Sequence, residues 1–377
     1  MTNTATNPAA RAHQQLIDLL EHLRTTFDEP GRGWIDETTR AEGYVNLVDL
    51  LSTGIDFFLH DDPDRPHFVR MVSDTRKFGG DNPDARYDFA PLRPELSYRI
   101  SGRRGDECYL GFCVYGSDAP GKPPSRVIGN VNHTDLSAAN GEQFSVLLAS
   151  AGTTRAGAAR AGAARAGEVV VPLTDDAASV IVRQYFFDPA VERSAELTIE
   201  VLDDDGEPTN LMPPPLLDLD TVAARLTAVT NHVKGWTDIA PLPPPDSAEG
   251  FNTICDPHQA EGPWSTPDNL HAYGFYRLGE AEALELRGRS PECTWWGVQL
   301  WNPYMQSYDQ RYHTAARNNR EIVVDDDGSW SLSIAPSDPG TDNWLDTAGH
   351  HEGFVYFRWQ LADGVPPPID ATIIRLG

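Results

Sequence analysis

The sequence predicts a mainly β protein with flanking helices, in which an antiparallel, jelly-roll-like β-sandwich occurs twice in tandem. Three observations carry this. Gly102-Arg103-Arg104-Gly105-Asp106-Glu107-Cys108-Tyr109-Leu110-Gly111-Phe112 matches Gly288-Arg289-Ser290-Pro291-Glu292-Cys293-Thr294-Trp295-Trp296-Gly297-Val298 at an offset of 288 − 102 = 186. That offset persists where Asn132 meets Asn318 and Phe144-Ser145-Val146 meets Trp330-Ser331-Leu332, the mark of an internal repeat. Between these blocks, short alternating runs bounded by Gly, Pro and Asp recur at the spacing of sandwich strands.

The elements follow in order. Leu16, Ile17, Leu19, Leu20 and Leu23 recur at helical spacing up to Phe27, and Pro30-Gly31-Arg32-Gly33 makes a turn. A second helix is expected from about Glu37 to Leu59, with Tyr44, Leu47, Val48, Leu51 and Ile55 on its apolar face. Asp61-Asp62-Pro63-Asp64 reads as its Pro-stopped end, not as a metal-binding acidic motif. Residues 1–65 form this helical segment, and the first sandwich copy spans 66–205. Tyr98 to Ile100 and Glu107 to Tyr115 read as a hairpin, with further strands at Gln143 to Ala149, Ser179 to Phe187 and Ala195 to Leu202. The run from Arg155 to Arg165, Ala/Gly-rich with Arg every fifth residue, fits no regular face and reads as a loop insertion. Beyond it the offset drops to 358 − 183 = 175, so the first copy is longer by 186 − 175 = 11 residues. A Pro-rich linker with a helix from about Asp220 to Val233 occupies 206–249, and the second copy spans 250–377.

The charge of −26 disfavours nucleic acid and anionic membranes as partners. No apolar run approaches a membrane span, and the stretch Met1 to Ala5 has neither a basic nor an apolar region, so a cytoplasmic location is expected. Cys108, Cys113, Cys255 and Cys293 include no Cys-x-x-Cys pair, and buried thiols acting as small hydrophobes are expected. No nucleotide-binding fingerprint, nucleophile elbow or zinc motif occurs, and Cys255-Asp256-Pro257-His258 has no matching second pair. Neither a metal nor another cofactor is expected.

The repeat also acts as a control. Arg183 and Arg358 sit at equivalent places inside apolar strands, and each needs a carboxylate or carbonyl partner there. Two segments are richer in the second copy, Asn302 to His313 and Asp342 to His351. Their residues suit acid–base chemistry: His350 with Asp346, or His313 with Asp309, as the titrating pair. Arg311 could hold an anionic or carbonyl group, and Asn302, Gln299 and Asn318 could donate to an oxyanion or hydroxyls. Tyr312, Asn343, Trp344 and Trp301 complete the expected binding surface. The sequence thus points to a metal-independent hydrolase, lyase or isomerase acting on a small organic molecule, with its site in the second sandwich. The alternative is a non-catalytic small-molecule or glycan-binding protein using Trp295, Trp296, Trp301, Trp344 and Trp359. A satisfied polar network tying down two loops is the plainer explanation of the same residues.

Phe68-Val69-Arg70, Asp81-Asn82-Pro83-Asp84, Arg183-Gln184-Tyr185, Gln299-Leu300-Trp301-Asn302, Asp338-Pro339-Gly340, Asn343 through His350 and Phe357-Arg358-Trp359 together form a recurring pattern. In these motifs the chain resembles actinobacterial-type proteins carrying the domain of unknown function 1214, most strongly over its C-terminal 90 or so residues. The resemblance implies a β-sandwich C-terminal domain and no particular activity.

Overall fold

The computed structural model describes residues 7–26, 36–150, 164–209, 213–242 and 248–376. The turn at Pro30–Gly33, most of the Ala/Gly/Arg run, Met212 and Pro243–Pro245 lie outside the described residues.

Helix α1 (Pro8–Thr26) is followed by α2 (Glu37–Gly54), which continues into a π-helical stretch, Ile55–His60. The first β domain contains β1 (Val69–Arg70), β2 (Ala85–Pro91), β3 (Ser97–Arg103), β4 (Tyr109–Gly116), β5 (Arg126–Asn132), β6 (Gln143–Ala149), β7 (Val169–Pro172), β8 (Ala177–Tyr185) and β9 (Glu196–Leu202). Helix α3 (Leu219–Ile239) leads to the second: β10 (His258–Gln259), β11 (Asn269–Arg277), β12 (Glu282–Arg289), β13 (Trp295–Trp301), β14 (Ala316–Asn318), β15 (Ser329–Ala335), β16 (Trp344–Asp346), β17 (Glu352–Gln360) and β18 (Asp370–Arg375).

The two domains share one topology. A five-stranded sheet β1-β2-β8-β4-β5 corresponds to β10-β11-β17-β13-β14, and a four-stranded sheet β7-β6-β3-β9 to β16-β15-β12-β18. Pairing is antiparallel except for β6–β7 and β15–β16. Each sandwich closes over its own core, Ile100, Phe112, Val146 and Val182 in the first, Leu286, Val298, Leu332 and Phe357 in the second. No helix among the described residues is long and apolar enough to cross a membrane.

Two local expectations change. β3 and β4 do not form a hairpin, because they belong to different sheets. The Arg104–Asp106 turn is a sandwich corner held by a buried ion pair, Arg104 Nε to Glu107 at 3.0 Å, with the Gly105 amide donating to the same carboxylate at 2.8 Å. A Cβ on Gly105 would stand 2.2 Å from the Arg193 carbonyl, so only glycine fits the corner. On α2, Tyr44 and Val48 are exposed, and the buried face is Gly43, Leu47, Leu50 and Gly54. That face meets α3, where a Cβ on Gly54 would lie 3.2 Å from the His232 ring. Small residues let the two helices approach, so residue size decides the packed face over hydrophobicity.

Every residue of β4 and of β13 is buried. These strands bury both faces because the outer faces of the two five-stranded sheets pack against each other. The contacts across this junction are reciprocal. Asn318 Nδ2 donates to Asp84 at 3.0 Å, and its counterpart Asn132 donates to Asp268, the counterpart of Asp84, at 3.1 Å. Trp301 Nε1 donates to the Asp81 carbonyl at 2.9 Å, and its counterpart Tyr115 donates its hydroxyl to the Ser265 carbonyl at 2.8 Å. The domains therefore meet in the manner of an isologous dimer contained in one chain.

Candidate functional site

Many side chains in the two polar segments of the second domain are taken up in hydrogen bonds that hold loops and the domain junction. Asn302 organises its own loop, accepting from the Tyr304 amide at 3.0 Å and the Gln306 amide at 3.2 Å. The loop then docks on the first domain: Lys77 Nζ donates to Ser307 Oγ at 2.9 Å and Gln306 Nε2 to the Lys77 carbonyl at 2.7 Å. Asn343 is buried and ties together Val323 and Ser331 through three bonds of 2.8 Å. Asn318 and Trp301 serve the domain junction described above. Trp344 Nε1 donates to the Ala335 carbonyl at 3.1 Å. Gln299 is buried with its Nε2 unpaired.

The titrating pairs also differ from those expected. His313 Nδ1 bonds Asp346, not Asp309, at 2.7 Å. Asp309 instead holds Arg311 through two bonds of 2.9 and 2.6 Å on the surface, and those hydrogen bonds, with the guanidinium charge, keep its carboxyl down at about 2. His350 lies flat on Tyr308 at 4.4 Å and bonds Glu42 of α2 at 2.9 Å, not Asp346. Burial opposes the charged form of His350, but the Glu42 carboxylate outweighs it and the pKa lies above the usual imidazole value. Tyr312 is 77% exposed. Of the four expected titrating residues, only His313 and Asp346 pair with one another, and both are half-buried. The thiols of Cys108 and Cys293 are pushed up to about 12, chiefly by burial, which disfavours the thiolate.

The feature composition did not reveal lies between the five-stranded sheets. A cavity of about 90 Å³ is lined by Ile181, Arg183 and Tyr185 from the outer face of β8, Asn269 and His271 from β11, and Arg358 from β17. Trp236 of α3, Tyr87 of β2 and the segments Phe78–Asp81 and Trp264–Thr266 close it. Arg183 and Arg358 are only 6% and 7% exposed. Arg183 Nη2 donates to the Trp264 carbonyl at 2.9 Å and the Tyr115 hydroxyl at 2.8 Å, and Arg358 Nη2 to the Gly80 carbonyl. The expected partners are therefore carbonyls. Among the described residues neither guanidinium has a carboxylate within ion-pair distance, and each leaves Nη1 unpaired. Trp264 Nε1, Asn269 Oδ1 and His271 Nε2, from residues lining the same cavity, are buried and unpaired too. Buried polar groups are normally satisfied, so five such atoms around one space mark it out.

One of the positions that distinguish the halves here bears on the backbone. The β2–β11 register sets an offset of 268 − 84 = 184, which makes Gly80 and Trp264 equivalent. Both backbones are left-handed, φ 76° and 65°, and both carbonyls accept from the opposite arginine. Glycine adopts this conformation freely, whereas a tryptophan there is strained by about 1–3 kcal/mol. Its indole stacks on Trp236 at 5.8 Å and 9°. The sequence signal was available: Asn269, His271, Arg358 and Gln360 alternate with apolar residues along β11 and β17, a polar stripe on a face that must be buried.

Comparison with known proteins places the fold without naming an activity. The structure is similar to that of an uncharacterised protein from Burkholderia cenocepacia, at 25% identity, with 99% of each chain covered and a TM-score of 0.83. A solved structure from Vibrio parahaemolyticus matches at 12% identity, covering 87% of this chain and 98% of that one, with a TM-score of 0.48. Among curated proteins none matches the chain. Residues 277–363, from the end of β11 to just past β17, match the family model described as a protein of unknown function, DUF1214.

Proposed function

We propose that this chain is a small-molecule-binding protein whose site is the cavity between its two β domains. The observation that carries the reading is the pair of buried arginines, Arg183 and Arg358, facing one cavity without a carboxylate partner. A buried charge lacking compensation costs several kcal/mol, and strain at Trp264 adds to this. Such costs concentrate where a ligand offsets them. A wider cleft of about 640 Å³, bordered by basic residues such as Lys77 and Arg86 and by carboxylates including Asp74, Asp188 and Glu321, shares Val72 and Asp81 with the cavity wall and offers it an entrance. The same reading keeps the division at 1–65, 66–205, 206–249 and 250–377, with a cytoplasmic setting and no nucleic-acid partner, in keeping with the charge of −26.

Ligand-observed NMR of the full chain with a panel of small acids, amides and alcohols tests it. Binding by at least one compound, abolished in Arg358→Met, is expected. A panel in which no compound depends on Arg358 would overturn the reading.

The second reading is acid–base catalysis, favoured by the His313–Asp346 bond of 2.7 Å. Asp346 Oδ1 accepts the Ala348 amide at 2.8 Å, so the carboxylate is fixed and can orient the imidazole for proton transfer. It predicts turnover lost in both His313→Ala and Asp346→Asn.

A further inference from the structure

Resting on the cavity reading, we infer that the occupant is a small organic carboxylate gripped between Arg183 and Arg358. The unpaired atoms define its chemistry. Nη1 of Arg183, Nη1 of Arg358 and Nε1 of Trp264 can only donate. His271 is neutral, because burial and the nearby Arg358 charge lower its pKa well below the usual value. Its Nδ1 is bonded to the Tyr356 hydroxyl, which can donate or accept, so the unpaired Nε2 serves a guest as donor in one tautomer and as acceptor in the other. Three fixed donors then stand against one fixed unpaired acceptor among these residues, Asn269 Oδ1. An acceptor-rich guest is required.

Charge makes the guest an anion. Two guanidiniums stand against one carboxylate in the cavity wall, Asp81, whose oxygens accept from the Ser307 amide at 2.9 Å and hydroxyl at 2.6 Å, so a positive charge is left over. The guanidiniums reach the cavity from opposite domains, each anchored through Nη2 on a carbonyl, which leaves Nη1 for the guest. A carboxylate accepts from two such forks in its plane. Size limits it: about 90 Å³ corresponds to roughly three waters at about 30 Å³ each, enough for a carboxylate and a short apolar remainder. The aromatic walls, Tyr87 and the stacked Trp236–Trp264 pair, suit a flat group over a tetrahedral one.

Isothermal titration calorimetry of the full chain at pH 7.5 and constant ionic strength tests this, with acetate and propanoate as probes, acetamide and propanamide as neutral isosteres, and inorganic phosphate as the tetrahedral anion. One carboxylate per chain is expected, bound at least 10-fold tighter than its amide. Arg183→Met and Arg358→Met should each weaken it 10-fold or more. Trp264→Gly, which installs the residue found at the equivalent position of the first domain, removes one donor while relieving the backbone, and should weaken binding about 5-fold in a chain that still folds. Amides binding as tightly as carboxylates, with the arginine dependence retained, would overturn the carboxylate assignment and leave the cavity reading standing. Phosphate binding alone would overturn it likewise. Carboxylate binding unchanged in Trp264→Gly and in the arginine variants would place the guest elsewhere and overturn both.

Discussion

Arg183 and Arg358 are counterparts that exchange partners across the domain junction: Arg183 donates to the carbonyl of Trp264 in the second domain, and Arg358 to that of Gly80 in the first. Neither bond neutralises a charge. Removing one member of a buried ion pair ordinarily costs about 3–5 kcal/mol. Arg358→Met should instead lose no more than about 1 kcal/mol, because relief of desolvation offsets the lost hydrogen bond to Gly80. Urea unfolding of the ligand-free chain checks this, and a loss of about 3 kcal/mol or more would return Arg358 to a purely architectural role.

The Gly80–Trp264 pair makes a directional prediction. At Gly80 the backbone is left-handed and an added Cβ would stand 2.9 Å from the Trp301 ring. Gly80→Ala should cost about 2 kcal/mol, while Trp264→Gly should cost less than the roughly 3–5 kcal/mol typical of an excised core tryptophan. Thermal denaturation of the two variants compares them directly.

His350 links the second domain to α2 through Glu42. Its raised pKa means that the folded state holds the proton more tightly than the unfolded chain. The stabilisation is fully present below the unfolded value, about 6.5, and is lost as pH rises through the folded value. Glu42→Gln should therefore lower stability by about 1 kcal/mol near pH 5.5 and by progressively less towards pH 8.5. Melting curves of both proteins across that range test the sign.

Asp84 behaves in the same sense for a different reason. Burial, with Glu321, Asp188 and Glu192 adding repulsion, pushes its carboxyl up to about 7 despite the bond from Asn318. Its protonated form favours folding, so that contribution is complete below about 3.9 and fades as pH rises through about 7. Asp84→Asn, which can still accept from Asn318, should be more stable than the parent by about 1–3 kcal/mol at pH 8, with the advantage vanishing towards pH 4. A destabilised Asn variant at pH 8 would show that the ionised carboxylate is needed at the junction.

Asn343 gives the simplest case of a polar residue spent on architecture. It is buried and makes three bonds to backbone groups. Asn343→Ala should cost about 2–3 kcal/mol by leaving such groups unpaired, without altering binding at the distant cavity. Denaturant midpoints and titrations on the same preparation separate the two effects.

The architecture was legible because it is repetitive. β8 and β17 correspond residue for residue, Ala177–Tyr185 to Glu352–Gln360, at the offset read between Arg183 and Arg358. The site was less legible because its parts are remote in sequence and meet on strand faces whose burial depends on the other domain. β4 and β13 read as half-buried strands until the second sheet covers them. Local spacing suggested His350 with Asp346 and His313 with Asp309, whereas His350 bonds Glu42, 308 positions away, and His313 bonds Asp346, 33 away. Comparing the copies did isolate a real asymmetry in the loop from Asn302 to Tyr308, but that loop docks the domains. The asymmetries that reach the cavity, among them Gly80 against Trp264, Asp81 against Ser265 and Tyr87 against His271, lie in a stretch where flanking sequence hardly matches.

Covalent continuity of the two halves changes what such a junction can hold. Two identical subunits meeting about a dyad must present the same side chain twice, so any pocket on the axis is obliged to be palindromic. Here the dyad survives in the backbone contacts while the chain on either side of it varies independently. The pocket can thus be handed: one rim is bare at Gly80 and the other carries an indole at Trp264. A guest with two unlike ends can then enter in one orientation only, a discrimination that a strictly symmetric pair of subunits could not make.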